Sequence, residues 1–243
     1  MTEEKAKEPY QQALAIKIND KNDFATFELG SNVVTVELLK KAVLSFNNEF
    51  YFVCGPHGSG KTHLLEALYQ LDSSIKENSF FLDMNTAKNL GPFVLDINLP
   101  KLTILDNVDV IAGDDEFELA LFALFNRWYD KREGTLIVTS SESFDKIPFN
   151  KVDLNTRMSS GIALSLDYLS EKDCISALKK RAEQRGLNFP DKTISFLVRH
   201  CNHDMRSLVA LLDRLEKAQL EHNRELTIMA IVAIVCALSA EKI

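Results

Sequence analysis

Cysteine is scarce and scattered in this chain of 243 residues. The four present, Cys54, Cys174, Cys201 and Cys236, make no CxxC pair, and the nearest two stand 27 positions apart. That excludes a disulfide framework or a zinc ribbon and suits small apolar residues in a reduced compartment. Basic residues are also short: 28 Lys and Arg face 35 Asp and Glu, for a net charge of −7. The basic stripe of a DNA-binding domain is missing, and direct sequence-specific DNA binding is not expected. Long apolar runs are lacking as well. TIMAIVAIVCALSA (227–240) is shorter than the ~20 residues of a spanning helix, so no membrane partner is expected. The start, MTEEKAKEPYQQ, is too charged for a signal peptide. There is no internal repeat and no low-complexity tract. What remains is 46% apolar and 26% charged, as in an ordinary cytoplasmic globular protein that needs no staples.

Residues 1–23 show little periodicity and read as a tail with one apolar island, Ala13 to Ile18. From Phe24 strands and helices alternate. Short apolar runs at 50–55, 79–84, 101–106 and 135–140 predict buried strands, and the segments 38–46, 62–71 and 114–132 predict helices. The last opens on acidic and closes on basic residues, as the helix dipole favours. Alternation of this kind predicts an α/β fold, a parallel sheet covered by helices on both faces, over 24–168. Beyond Leu169 the pattern is helical only. Ser170 is a natural N-cap and Gly186 a natural stop, so 169–243 is expected to form a small all-helical domain.

GPHGSGKT (55–62) matches G-x4-G-K-[ST] between an expected strand and an expected helix, the context in which the pattern carries chemistry. Gly55, Pro56, His57, Gly58, Ser59 and Gly60 make a loop whose N–H groups can turn towards phosphate oxygens. Lys61 neutralises the β- and γ-phosphates, Thr62 offers a hydroxyl to Mg²⁺, and the helix N-terminus adds its dipole. Asp106 ends the apolar strand LTIL and is placed to hold Mg²⁺ with Thr62. Asn107 stands where ATP-hydrolysing relatives of this site carry Glu or Asp, and an amide cannot take a proton from water; slow intrinsic hydrolysis is expected. Asp109 is expected in a solvated loop, a poor substitute. His57 and His63 flank the phosphate residues; His57, at a variable loop position, reads as incidental, and HCNH (200–203) lacks the second pair a metal site would need.

FATFELGSNV, GPHGSGKTHLLEAL, LTILDNVD, FNRWYDKREGTLIVTS, LNTRMSS and HDMRSLVALLDRLEKA, in this order and spacing, resemble the AAA+ region of the DnaA-related family and are most similar to its Hda branch of DnaA inactivators. The likeness runs from about residue 10 to 235. It implies an AAA+ core with a helical lid, an ADP or ATP ligand with Mg²⁺, and adenine bordered by Phe27 to Asn32. Thr139 and Ser140 fall in the sensor 1 region, where a hydroxyl would face the γ-phosphate. Arg157 falls at the box VII arginine finger and Arg206 at sensor 2; a guanidinium suits both, being always charged and bidentate towards phosphate. The D-N pair at 106–107 fits the Hda branch, and no helix-turn-helix region follows the lid. The resemblance implies docking on ATP-bound DnaA, with Arg157 supplied in trans to DnaA's own site. It also implies a tether to the DNA polymerase sliding clamp through a Q-L-x-L-x-L-type peptide. Gln11, Leu14 and Ile16 match that peptide, and Gln12 replaces an expected leucine.

Residues 228–238 are apolar all round, the pattern of a helix that is buried or paired, and self-association is expected there. Rival readings are a helicase-loader-like ATPase acting on single-stranded DNA, a small-molecule P-loop kinase, and an adaptor for another partner on the same fold. Acidity and Asn107 disfavour the first, and a lid that comes after the sheet disfavours the second.

Overall fold

The computed structural model describes residues 22–201 and 205–222. The tail residues Gln11, Leu14 and Ile16, the run 228–238, and part of HCNH lie outside the described residues.

The four apolar runs form β1 (Phe50–Cys54), β2 (Ser79–Asp83), β3 (Leu102–Asp106) and β4 (Thr135–Ser140). A fifth strand, β5 (Ile162–Ser165), completes a parallel sheet of order β2-β3-β4-β1-β5. Nothing in IALS announces this strand: it is four residues long, lies at the sheet edge and is mostly exposed. Its conformation is fixed by pairing with β1, from Tyr51↔Ile162 to Cys54↔Ser165.

Alternation along the strands builds two cores. Phe50, Phe52, Leu82, Leu105, Leu136 and Val138 face one side. There they meet α4 (Met84–Leu90), α5 (Asp115–Lys131) and α6 (Val152–Ser159). Tyr51, Val53, Phe81, Leu102, Ile104 and Ile137 face the other, against α1 (Val33–Ser45), α2 (Lys61–Tyr69) and α3 (Ser73–Glu77). A sheet buried on both faces explains why its strands read as continuous apolar runs. The short helices α3, α4 and α6 carry no clear sequence signal; each is held by the sheet more than by its own periodicity.

The lid region consists of α7 (Glu171–Gln184), α8 (Asp191–His200) and α9 (Met205–His222) around a separate core of Cys174, Leu178, Leu197, Leu208 and Leu212. The Ser170 hydroxyl accepts from the Asp173 N–H at 3.2 Å, capping α7, and Gly186 follows its end with φ 69°. Within the core, the Asn32 amide donates to the Asp167 carbonyl at 3.1 Å and its oxygen accepts from the Asp167 N–H at 2.8 Å, which fixes the segment leading into the lid. Lid and core meet at Glu28, whose carboxylate accepts from the Ser176 hydroxyl at 2.9 Å and the Lys180 ammonium at 2.8 Å. No helix among the described residues is long and apolar enough to cross a membrane.

Candidate functional site

Because β1 lies inside the sheet, between β4 and β5, the loop that leaves it opens at the C-terminal edge where strand order reverses, the usual ligand crevice of such sheets. The loop is tightly built. The Gly55 N–H donates to the Ser140 carbonyl at 3.2 Å. A Cβ on Gly55 would lie 2.5 Å from the Leu166 carbonyl oxygen and 2.8 Å from Ser59 Oγ, so no other residue fits. Gly60, at φ 95°, turns the chain into α2 in a conformation that L side chains avoid. Lys61 is 5% exposed, and its ammonium donates to the Gly55 carbonyl at 2.5 Å and the Pro56 carbonyl at 3.2 Å. Burial pushes its pKa down, with the Asp106 and Asp109 charges acting the other way and Arg206 adding to the depression. Ser59 Oγ is buried without a hydrogen-bond partner. A desolvated ammonium held by neutral carbonyls and an orphaned hydroxyl in one glycine-framed loop are what a phosphate group would satisfy.

Two strands away, Asp106 ends β3 fully buried. It accepts from Thr62 Oγ1 at 2.6 Å through one oxygen and from the Thr139 hydroxyl through the other. Burial raises its pKa, and the Thr139 and Thr62 hydrogen bonds oppose the rise. Thr62 and Asp106 thus meet as hard oxygen donors beside the phosphate loop, the chemistry Mg²⁺ prefers. Thr139, on the intervening β4, spends its proton on Asp106 and accepts the Asn107 N–H at 3.0 Å. Its hydroxyl therefore organises the acidic edge. Ser140 Oγ accepts the Glu142 N–H at 3.0 Å.

Asn107 has a role that the sequence did not suggest. Its amide nitrogen donates to Asp83 Oδ1 at 3.0 Å and to Asp106 Oδ2 at 3.1 Å, and β2 and β3 hold these carboxylates in register. The amide separates two anions where a carboxylate would add a third. Asp109 also departs from expectation. It sits in the 3₁₀ turn Val108–Ile111, not in a solvated loop; one oxygen accepts from the Ser141 hydroxyl and the other is buried without a partner.

Phe27 is buried beside Gly60 and meets the His63 ring edge-on, 5.0 Å between centroids. His63 is more than incidental. Arg181 of the lid donates to His63 Nδ1 at 2.7 Å, so the ring is neutral, with its proton on Nε2 and directed to the Asp23 carbonyl at 2.9 Å. Burial and the Arg181 charge lower its pKa to about 4. Arg181 also donates to Asn22 Oδ1 at 2.8 Å, and Asn22 in turn donates to Glu66 Oε2 at 2.6 Å. These residues are far apart in sequence, and no motif marks them. Arg206 of α9 approaches the phosphate loop through His57 Nδ1, at 3.4 Å.

Arg157 stands apart. Its guanidinium donates to Asn126 Oδ1 at 3.0 Å and lies over the rings of Tyr129 and Phe122, 4.9 and 5.8 Å from their centroids. All three partners belong to α5, none to the phosphate loop or the acidic edge. So the fold brings Lys61, Thr62, Asp106, Asn107 and Thr139 together, puts Arg206 at the rim, and seats Arg157 elsewhere.

Comparison with known proteins bears on the fold and the lid. The family model described as the Hda lid domain matches residues 171–231. A Haemophilus influenzae protein described as uncharacterized is 31% identical over 219 residues, covering 90% of this chain and 95% of its own. Domain III of the Thermotoga maritima replication initiation protein DnaA superposes with a TM-score of 0.77 at 18% identity, over 89% of this chain and 96% of that one. AMPPCP-bound DnaA from Aquifex aeolicus gives a TM-score of 0.66 at 19% identity, over 83% of this chain and 67% of that one.

Proposed function

The chain belongs to the Hda- and DnaA-related AAA+ proteins, and from that premise we propose that it is a nucleotide-responsive regulator which stimulates ATP hydrolysis by DnaA. In this reading its own phosphate loop holds ADP or ATP through Gly55 to Thr62, with Mg²⁺ at Thr62 and Asp106 and Arg206 closing from the lid. The bound nucleotide fixes the lid against the core and makes the chain competent to dock. Arg157 then enters the partner's nucleotide site and stabilises the charge that develops on the transferred phosphoryl group. The tail, through Gln11, Leu14 and Ile16, tethers the regulator to the sliding clamp, so that inactivation follows replication and prevents re-initiation.

The observation that carries this reading is the seat of Arg157. Among the described residues the hydrogen-bond and ring partners of its guanidinium lie on α5, away from the chain's own phosphate site, which supports a role at another. Asn107 supports the same view: with its amide engaged between Asp83 and Asp106, the site lacks the carboxylate that would activate water, and a protein that lends only an arginine does not need one. Arginines supplied in trans raise phosphoryl-transfer rates by ~10³ to 10⁵ in GTPases.

The test is phosphate release from four mixtures: this protein alone, ATP-loaded DnaA alone, both with clamp loaded on DNA, and the last with Arg157→Ala. The expected result is fast hydrolysis only in the wild-type pair. Rapid turnover by this protein alone, accelerated by single-stranded DNA and indifferent to DnaA, would replace this reading with that of a helicase-loader-like ATPase.

A further inference from the structure

The helix that carries Arg157 has no cap of its own. Lys151 precedes α6 without any side-chain cap. The turn just before it is held instead by another helix: the Glu118 carboxylate, in the first turn of α5, takes the Asn150 N–H at 2.9 Å on one oxygen and the Lys151 N–H at 2.8 Å on the other. The oxygen that binds Asn150 also accepts the Gly113 N–H at 2.8 Å. Glu118 is fully buried. A buried carboxylate costs a great deal unless hydrogen-bonded, and here three main-chain donors compensate it. Asp115, three residues before it, adds a bond from the Asn150 side chain at 2.9 Å.

We infer that Glu118 is the positioning residue for Arg157: by clamping the 150–151 turn to α5 it sets the origin of α6, and so the place from which the guanidinium is presented. The inference rests on the trans-arginine reading above. Six residues separate Lys151 from Arg157, about 9 Å along a helix, and Leu154 and Met158 between and beyond them are buried in the sheet core. The helix is therefore packed along one face, and Glu118 ties down its N-terminal end. The far end meets the same partner, since Asn126 of α5 receives Arg157. Gly113, in the turn between the 3₁₀ segment after Asn107 and α5, joins the clamp. Glu118 thus gathers the segment leaving the acidic edge and the segment entering the arginine helix onto a single carboxylate. Glu118 touches no nucleotide residue and acts only through the chain it holds.

The experiment compares full-length wild type, Glu118→Ala, Glu118→Gln and Arg157→Ala. Each is titrated into ATP-loaded DnaA with clamp on DNA, and ADP affinity, melting temperature and amide hydrogen exchange are measured on the same proteins. The expected result for Glu118→Ala is faster exchange confined to residues 150–159 and ADP affinity close to wild type. Its plateau rate of hydrolysis should fall by about tenfold or more, as a small displacement of a catalytic group predicts. The regulator concentration at half-plateau should change by less than about threefold, because presentation and not docking is lost. Glu118→Gln keeps one acceptor oxygen and should retain an intermediate plateau, which a general loss of folding would not produce. A Glu118→Ala protein with the wild-type plateau, in an assay where Arg157→Ala abolishes stimulation, overturns the assignment. So does a fall in plateau matched by equal loss of ADP affinity and melting temperature. If Arg157→Ala keeps full stimulation, the trans-arginine reading itself fails, and the positioning role of Glu118 fails with it.

Discussion

Acidification offers a direct probe of the joint between lid and core, because one imidazole takes part in it. In the folded chain His63 stays neutral down to about pH 4, against an ordinary value of 6.5. Its Nδ1 must accept from Arg181 at 2.7 Å, and a second proton would set two cations against each other. The unfolded chain takes that proton near pH 6.5 and the folded chain only near pH 4. This contribution to stability is therefore complete above 6.5 and is lost as pH falls through the window between. At about 1.4 kcal/mol per pH unit the gap corresponds to about 3 kcal/mol at its lower end and about 2 kcal/mol at pH 5. The ring retains some contact with solvent, which screens part of the effect, so about 1–2 kcal/mol at pH 5 is the expected measurement. The assay is urea unfolding of wild type and His63→Gln at pH 7.5, 6 and 5. Other titrating groups cancel in the difference, and the wild type should lose about 1–2 kcal/mol more than the variant between pH 7.5 and 5. Parallel losses in the two proteins would refute the neutral, Arg181-bound histidine.

Three further perturbations test other parts of the site. Gly55→Ala sets a Cβ 2.5 Å from the Leu166 carbonyl oxygen; calorimetry should show a loss of more than about 2 kcal/mol, and fluorescent ADP should no longer bind. Asn107→Asp replaces the donor between Asp83 and Asp106 with a third carboxylate. The variant should be less stable by about 1–3 kcal/mol at pH 8, regain stability as the pH is lowered and the added group takes up a proton, and not become a fast ATPase. Glu28→Ala removes the carboxylate that accepts from Ser176 and Lys180 of the lid and should cost about 1–3 kcal/mol while speeding ADP release in stopped flow, since the lid loses a tie to the core.

The four long strands and the principal helices are legible in the sequence because their signals are local. A run such as FYFVC is apolar throughout, and DEFELALFALFNRWYDK carries both its stripe and its charge polarity within itself. β5 is not legible: IALS is a strand only because β1 lies beside it. Asp109 reads as solvated for a similar reason, since its burial comes from Ser141 at the end of β4, which sequence distance hides. The acceptor role of His63 is not legible because it depends on Arg181, 118 residues away.

By itself, the order of residues settled the phosphate loop, the aspartate at the end of the third strand, the alternation that requires a parallel sheet, and the helical character of the lid. Each of these depends on neighbours within a turn or a strand length. Tertiary structure alone decided that Thr139 turns to Asp106, that Asn107 separates two carboxylates, that Arg206 reaches the loop while Arg157 rests on α5, and that Glu118 holds the turn before α6. Those arrangements are hydrogen bonds and ring contacts between chain segments that meet only when the sheet has formed and its two faces have been covered. Their geometry is a property of packing, which composition and periodicity do not encode.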